Sequence, residues 1–228
     1  MTKYVVASSK RWFNQHQRSD EYKAFDIIHI TSKEELTVDF LDRIKPRFVF
    51  FPHWNWIVQP EIFEKYECVV FHTAPLPFGR GGSPIQNLIA RKIDAAPVCA
   101  LRMTDVLDGG PIYDSIQVSL SGTIEEIFNR IANIIDTLII KIIEFQPQPK
   151  PQVGEPVYFK RRTSSENEIT KCSNIRDVYD KIRMLDGYDY PKAYIYYGGF
   201  KLEFSKATLC GETLTANVLI KKETVPSG

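Results

Sequence analysis

Five short apolar runs, at residues 4–8, 25–30, 48–51, 68–71 and 98–103, punctuate the first half of the chain and are rich in Val, Ile, Phe and Cys. Nearly unbroken runs of this kind suit strands buried on both faces. Helical signals fall between them. Ser32 with Glu34 and Glu35 reads as an N-cap and an acidic first turn, predicting a helix through Leu36, Phe40 and Leu41. Residues 60–66 form a short helix opening on Pro60. Residues 84–92 form another, with Ile85, Leu88 and Ile89 on one side. Strands alternating with helices predict an α/β fold of the Rossmann-like kind around a mostly parallel sheet. The clearest helix is 123–145. Thr123-x-x-Glu126 is a capping box, and Ile124, Ile127, Phe128, Ile131, Ile135, Leu138, Ile139 and Ile142 recur at three- and four-residue steps. That stripe is a core face.

The pattern then changes. Pro147, Pro149 and Pro151 alternate with polar residues, which ends the helix and favours an extended spacer. The expected division is a catalytic domain at 1–146, a proline-rich linker at 147–155 and a small α+β subdomain at 156–228. In the tail, Ser173 reads as the cap of a helix to about residue 185. Residues 194–204 read as a hairpin turning at Gly198-Gly199, and residues 213–221 as a further strand. The aromatic residues of the hairpin leave a homodimer open.

Composition narrows the classes. Hydrophobic residues make up 43% of the 228 and charged residues 25%, as in ordinary globular domains. With 29 Lys+Arg against 28 Asp+Glu, the net charge of +1 argues against nucleic acid as a partner. No apolar stretch is long enough to span a bilayer, and residues 1–12 do not read as a signal peptide. The expected location is the cytoplasm. Cys68, Cys99, Cys172 and Cys210 form no CxxC pair, and His16, His29, His53 and His72 show no paired spacing, so no metal site is expected.

Neither GxxxxGK[ST] nor GxGxxG is present; Ser8-Ser9-Lys10-Arg11-Trp12 follows the first strand instead. Two other segments stand at the C-terminal ends of predicted strands, where open α/β sheets bind ligands. One is residues 72–84, His-Thr-Ala-Pro-Leu-Pro-Phe-Gly-Arg-Gly-Gly-Ser-Pro; the other is residues 107–111, Leu-Asp-Gly-Gly-Pro. A carboxylate at Asp108 facing the imidazole of His72 can orient the ring and move protons near neutral pH. A hydrogen-bonded structural histidine and a plain Asp-Gly-Gly turn are the simpler accounts of the same residues.

These segments resemble the signature of the folate-dependent formyltransferases. His72-Thr73-Ala74-Pro75-Leu76-Pro77, then Arg80-Gly81, then Pro84-Ile85-Gln86 is similar to that family's first motif, and Leu107-Asp108-Gly109-Gly110 to its second. The resemblance covers residues 45–145 well and the tail more weakly. It implies N10-formyltetrahydrofolate as formyl donor and a primary amine as acceptor. His72 would stabilise the developing oxyanion and Asp108 would hold the imidazole. Leu76, Pro77, Arg80, Gly81, Gly82, Leu107 and Gly109 would face the donor. Ser9, Lys10, Arg11, Trp54 and Gln86 would face the acceptor.

One departure stands out. The family's catalytic asparagine falls at Val70, which neither donates nor accepts. Asn55, with Asn87 as the alternative, is the expected replacement. The short tail and missing phosphate loop resemble the nucleotide-sugar N-formyltransferases of bacterial surface-glycan synthesis. The implied acceptor is therefore a UDP- or dTDP-linked 4-amino-4,6-dideoxysugar, with a pseudaminic-acid route among the candidates. Methionyl-tRNA formylation is the alternative enzyme reading. A non-catalytic folate- or nucleotide-binding homologue is the alternative of another class.

Overall fold

The computed structural model describes residues 2–188 and 190–222. In chain order the elements begin β1 (Lys3–Ala7), α1 (Arg11–Asn14), α2 (Asp20–Lys23), β2 (Asp26–Ile30), α3 (Val38–Ile44), β3 (Phe48–Phe51) and α4 (Pro60–Lys65). They continue β4 (Cys68–Thr73), β5 (Phe78–Gly81), α5 (Pro84–Ala90), β6 (Ala95–Arg102), β7 (Ile112–Ser119) and α6 (Ile124–Phe145). The C-terminal part holds β8 (Val157–Phe159), α7 (Ile175–Arg183), β9 (Ala193–Tyr197), β10 (Phe200–Cys210) and β11 (Thr213–Lys222).

Six strands form one sheet in the order β2-β1-β3-β4-β6-β7. The first four are parallel, and β6 runs antiparallel to both β4 and β7. The apolar runs bury both faces because alternate residues enter two different cores. Tyr4, Val6, Phe48, Phe50, Val69 and Phe71 meet α5 and α6 on one side. Val5, Ala7, Val49, Phe51 and Cys68 meet α3 and α4 on the other. The mostly parallel α/β sheet expected from the sequence is present, with an antiparallel sheet β11-β10-β9 behind it.

The helix read from Ser32 is absent. Glu35 turns its carboxylate back onto the N–H groups of Thr31 and Ser32, both at 2.9 Å, and closes a turn. The N-cap lies five residues later, at Thr37, whose Oγ1 accepts from the Phe40 N–H. The tail helix likewise begins later: Asn174, not Ser173, is its N-cap, and Ser173 donates instead to Asp177. β7 escapes the sequence pattern because it lies at the sheet edge, where Asp114, Ser115 and Gln117 alternate with Tyr113, Ile116 and Val118.

α6 has both halves of its capping box, with Thr123 Oγ1 accepting from the Glu126 N–H and Glu126 accepting from the Thr123 N–H. Its apolar stripe meets Ile182, Met184, Leu185 and Ala193 of the C-terminal part in one continuous cluster. The hairpin turns at Gly198 and Gly199, whose φ values of 58° and 81° favour glycine. The proline-rich stretch is pinned to the sheet side. Lys150 exchanges two backbone hydrogen bonds with Ile112, each 2.8 Å, and β8 pairs with β5.

On α6, Asp136 is buried, with Arg18 Nη1 3.3 Å from its Oδ1. Burial pushes its carboxyl up to about 6, against the pull of Arg18. The fold therefore favours the protonated acid, and stability from this group is greatest below its unfolded value of 3.8 and falls as pH rises through about 6. The stability of wild type minus that of Asp136→Asn should fall by roughly 3 kcal/mol between pH 3.5 and 7, read from thermal melts. A pH-independent difference would contradict this assignment. Thr123→Ala should destabilise the protein by about 1 kcal/mol in denaturant titration through loss of the cap; no measurable change would show that α6 does not need it.

Candidate functional site

β4 ends on His72 and Thr73, two residues beyond the predicted run, because its register with β6 continues through His72↔Cys99 and Thr73↔Val98. The His72 side chain is buried at 7% exposure. Its Nε2–H donates to the Gly79 carbonyl at 2.7 Å. Its Nδ1 lies 3.4 Å from Asp108 Oδ2. That same oxygen accepts from the Gly81 N–H at 2.9 Å. The structure thus brings together the two residues that the sequence singled out, and the returning loop 74–81 contributes two backbone groups to them.

Two local features make this approach possible. Gly79 has φ +91°, and a Cβ there would stand 2.8 Å from Ala74 Cβ and 2.9 Å from the Phe159 ring. Asp108 itself adopts φ 49°, a left-handed conformation tolerated best by Asn, Asp and Gly. The backbone carbonyls of Asp108 and Gly110 both accept from Gln152 Nε2, at 2.8 and 2.9 Å. Gln152 Oε1 accepts from Arg80 Nη2 and Nε at 2.7 and 3.1 Å. One glutamine in the proline-rich stretch therefore locks Arg80 to the Asp108 loop. No sequence signal marked it.

The other expected residues are distributed around this centre. Gly82 donates its N–H to the Phe159 carbonyl at 3.0 Å. Gly109 follows Asp108 in a turn where Val106 and Leu107 are exposed, at 46% and 64%. Leu76 and Pro77 precede Gly79, and the Pro77 carbonyl accepts from the Val157 N–H. Gln86 is buried on α5 with Nε2 unpaired among the described residues. Asn87 is not free to act on a ligand: its Nδ2 donates to the carbonyls of Gly82, Ser83 and Lys160, a clamp on the loop. Asn55 is exposed, its backbone N–H donating to Ser9 Oγ and its side chain making no hydrogen bond among the described residues. Trp54 packs with Phe51 and Trp56 on the α3–α4 side.

A cavity of about 280 Å³ opens between α1, α6 and the segment before β9. Arg11, Trp12, Gln15, Phe128, Tyr188 and Tyr190 are among its walls. The Arg11 guanidinium lies 4.6 Å above the Tyr188 ring. Trp12 stacks on Phe128 at 4.7 Å and meets the His53 ring edge-on at 4.8 Å. Burial, then Lys10, then His72 push the His53 imidazole down to about 3. It is neutral at physiological pH, and its packing against Trp12 and Phe128 was not anticipated from the sequence. Among the described residues no group of three or more His, Cys, Asp or Glu side chains converges as a metal site, and no helix is long and apolar enough to cross a membrane.

Residues 164–221 match the family described as the methionyl-tRNA formyltransferase C-terminal domain. A solved structure of methionyl-tRNA formyltransferase from Clostridium thermocellum superposes with a TM-score of 0.91 at 38% identity, covering 98% of this chain and 100% of that one. Methionyl-tRNA formyltransferase of Campylobacter jejuni is 28% identical over 167 residues, 72% of this chain and 55% of its own length. The chain thus spans about half the length of the curated relatives it matches. The formyltransferase PseJ from Anoxybacillus kamchatkensis, solved with UDP-4,6-dideoxy-4-formamido-L-AltNAc and tetrahydrofolate, shares the fold at TM-score 0.57 and 16% identity, covering 77% of this chain and 94% of that one. Members of the family use N10-formyltetrahydrofolate as formyl donor. With 38% identity sustained over its whole length and the His72–Asp108 pair in place, the chain belongs to the folate-dependent formyltransferase family.

Proposed function

We propose that the protein transfers a formyl group from N10-formyltetrahydrofolate to the primary amine of a nucleotide-linked amino-deoxysugar. The observation that carries the transfer is the buried His72–Asp108 pair at the C-terminal edge of the sheet, cradled by Gly79 and Gly81. The donor supplies an activated formyl carbon. The glycines at 79–82 and 109–110 let the two loops close tightly on the protein around the His72–Asp108 pair, and exposed Val106 and Leu107 offer an apolar lip beside Asp108 for the donor. Leu76, Pro77, Arg80, Gly81, Gly82, Leu107 and Gly109 would hold it.

His72 would stabilise negative charge developing on the formyl oxygen, and the Asp108 carboxylate would keep the ring oriented and its charge compensated. In a buried site such preorganised donors act more strongly than in water. The cavity walled by Arg11, Trp12 and Tyr188 supports the sugar-nucleotide reading. It joins aromatic faces for a base or sugar to a guanidinium for phosphate, and its wall residue Trp12 packs against the His53 ring. Lys10 and Ser9 stand on the same segment. The near-zero net charge supports the same choice over a large RNA. Methionyl-tRNA is the second reading, favoured by the 38% match and by the C-terminal match at 164–221.

Thermal melts with 5-formyltetrahydrofolate, UDP and dTDP should show a shift of several degrees for the folate and for one nucleotide, as expected when ligand stands ~100-fold above its dissociation constant. Turnover of a UDP- or dTDP-linked 4-amino-4,6-dideoxysugar should then follow. A folate shift with no nucleotide shift, together with salt-sensitive binding of methionyl-tRNA, would transfer the assignment to the second reading. His72→Ala and Asp108→Ala should each lower kcat on the order of 100-fold or more. Near-normal rates in both variants would remove the pair from the chemistry.

A further inference from the structure

We infer that Gln152 is a positioning residue for the transfer, its side-chain amide holding the 108–110 backbone so that the Asp108 carboxylate meets His72. The inference rests on the formyl-transfer reading above and adds the group that sets where Asp108 stands.

Chain register is the first support. Lys150 and Ile112 exchange antiparallel backbone hydrogen bonds, so two residues further along each segment Gln152 stands opposite Gly110. Pro149 and Pro151 flank Lys150 and fix φ on either side of that pairing, which stiffens the approach. The far end of the strap is tied down as well. The Val157 N–H donates to the Pro77 carbonyl at 3.1 Å, and β8 pairs with β5. Between these two attachments the side-chain amide makes the contact to the loop, its Nε2 donating to the carbonyls of Asp108 at 2.8 Å and Gly110 at 2.9 Å.

Hydrogen-bond inventory is the second support. A guanidinium only donates and a carbonyl only accepts, so the amide has one orientation. Its Oε1 accepts from Arg80 at 2.7 and 3.1 Å, and its Nε2 faces the two carbonyls. The turn that it holds otherwise bonds within itself. The Val106 N–H donates to Thr104 Oγ1 and the Gly109 N–H to the Val106 carbonyl, while Val106 and Leu107 are exposed. Asp108 is left-handed at φ 49°, a conformation that persists in a non-glycine residue where its surroundings hold it. Released from Gln152, that backbone is free to relax. Its carboxylate then leaves the Gly81 N–H, now at 2.9 Å, and His72 Nδ1, now at 3.4 Å.

Gln152 thus acts through Asp108. Its bonds go to the backbone of the loop, and the loop carries the carboxylate that orients the His72 ring. Misplacing such a group by about 1 Å is enough to lower a rate ~100-fold. The two halves of the amide can also be separated. A carboxylate at this position keeps its grip on Arg80 but sets acceptor oxygens against two carbonyls that need a donor.

The test uses the full chain in steady-state formylation of a UDP- or dTDP-linked 4-amino-4,6-dideoxysugar, with thermal melts and amide hydrogen exchange. Gln152→Met keeps the side-chain volume and loses both halves of the clasp; Gln152→Glu keeps the Arg80 half and loses the loop half. Each should lower kcat ~10-fold or more while the acceptor KM changes less than ~3-fold. In an Asp108→Ala background, Gln152→Met should add less than ~2-fold to the loss, because the carboxylate it positions is gone. The Gly81 N–H, which donates to that carboxylate, should exchange faster in Gln152→Met while β1 to β4 stay protected. Wild-type kcat in folded Gln152→Glu overturns the inference, since the grip on Arg80 alone would then suffice. So do losses that multiply in full with those of Asp108→Ala, because Gln152 would then act independently of the carboxylate. Unchanged exchange at Gly81 overturns it too. Absence of turnover by the wild type with every amine tried overturns the formyl-transfer reading instead, and the Gly81 exchange still decides whether Gln152 holds Asp108.

Discussion

One carboxylate, Asp108, closes the loops over the end of the sheet. Its Oδ2 accepts the Gly81 N–H and faces His72, while its own backbone carbonyl receives Gln152, which is gripped in turn by Arg80. Every group in this ring is satisfied by the next. A buried polar network of that kind is stiff when complete and destabilising when one member is missing, because the orphaned partner keeps its desolvation penalty. The left-handed backbone at Asp108 is a conformation that these bonds hold in place, while the positive φ at Gly79 and Gly81 comes at little cost because glycine has no Cβ. Three segments far apart in sequence, 72–81, 107–110 and 150–159, become one unit through that network.

The sheet explains why the unit sits where it does. Parallel strands end on the same edge, so residues leaving β3 and β4 arrive side by side. β6 runs back antiparallel to β4, and the chain leaving it returns through Asp108 before entering β7. His53 and His72 follow neighbouring parallel strands at one edge, whereas the loop after β6 starts beside Val69 at the other end of β4 and folds back to bring Asp108 to His72. The two cores on either face keep that edge rigid, and α6 contributes Phe128 to the wall of the neighbouring cavity while its apolar stripe anchors the C-terminal part.

Much of this was legible from residue pattern. The buried runs, the capped helix at Thr123 and the Gly-Gly hairpin announced themselves because each depends on local periodicity or on a single backbone requirement. His72 and Asp108 were legible through resemblance, since motif order survives without coordinates. Other features were not. Residues 32–36 close a turn under the Glu35 carboxylate and the helix begins only after Thr37, although Ser32 with Glu35 carries the cap signature of a helix start. β7 is an edge strand with alternating polar residues and lacks an apolar run. Asn87 reads as a candidate catalytic amide, and only the fold shows three backbone carbonyls already on its Nδ2.

Local sequence determined where strands and helices lie, because periodicity and capping act over a few residues. Family-like motifs singled out one imidazole and one carboxylate, His72 and Asp108, which the fold brings to 3.4 Å of each other. Tertiary structure alone decided what stands next to them. The proline-rich stretch became a strap because Gln152 reaches two carbonyls more than 40 residues away in sequence. His53 came to rest against Trp12 and Phe128 because β3 ends at Phe51 and the chain then takes a left-handed turn. Such contacts depend on long-range geometry that no window of residues encodes, and the chemistry of the site is set by them.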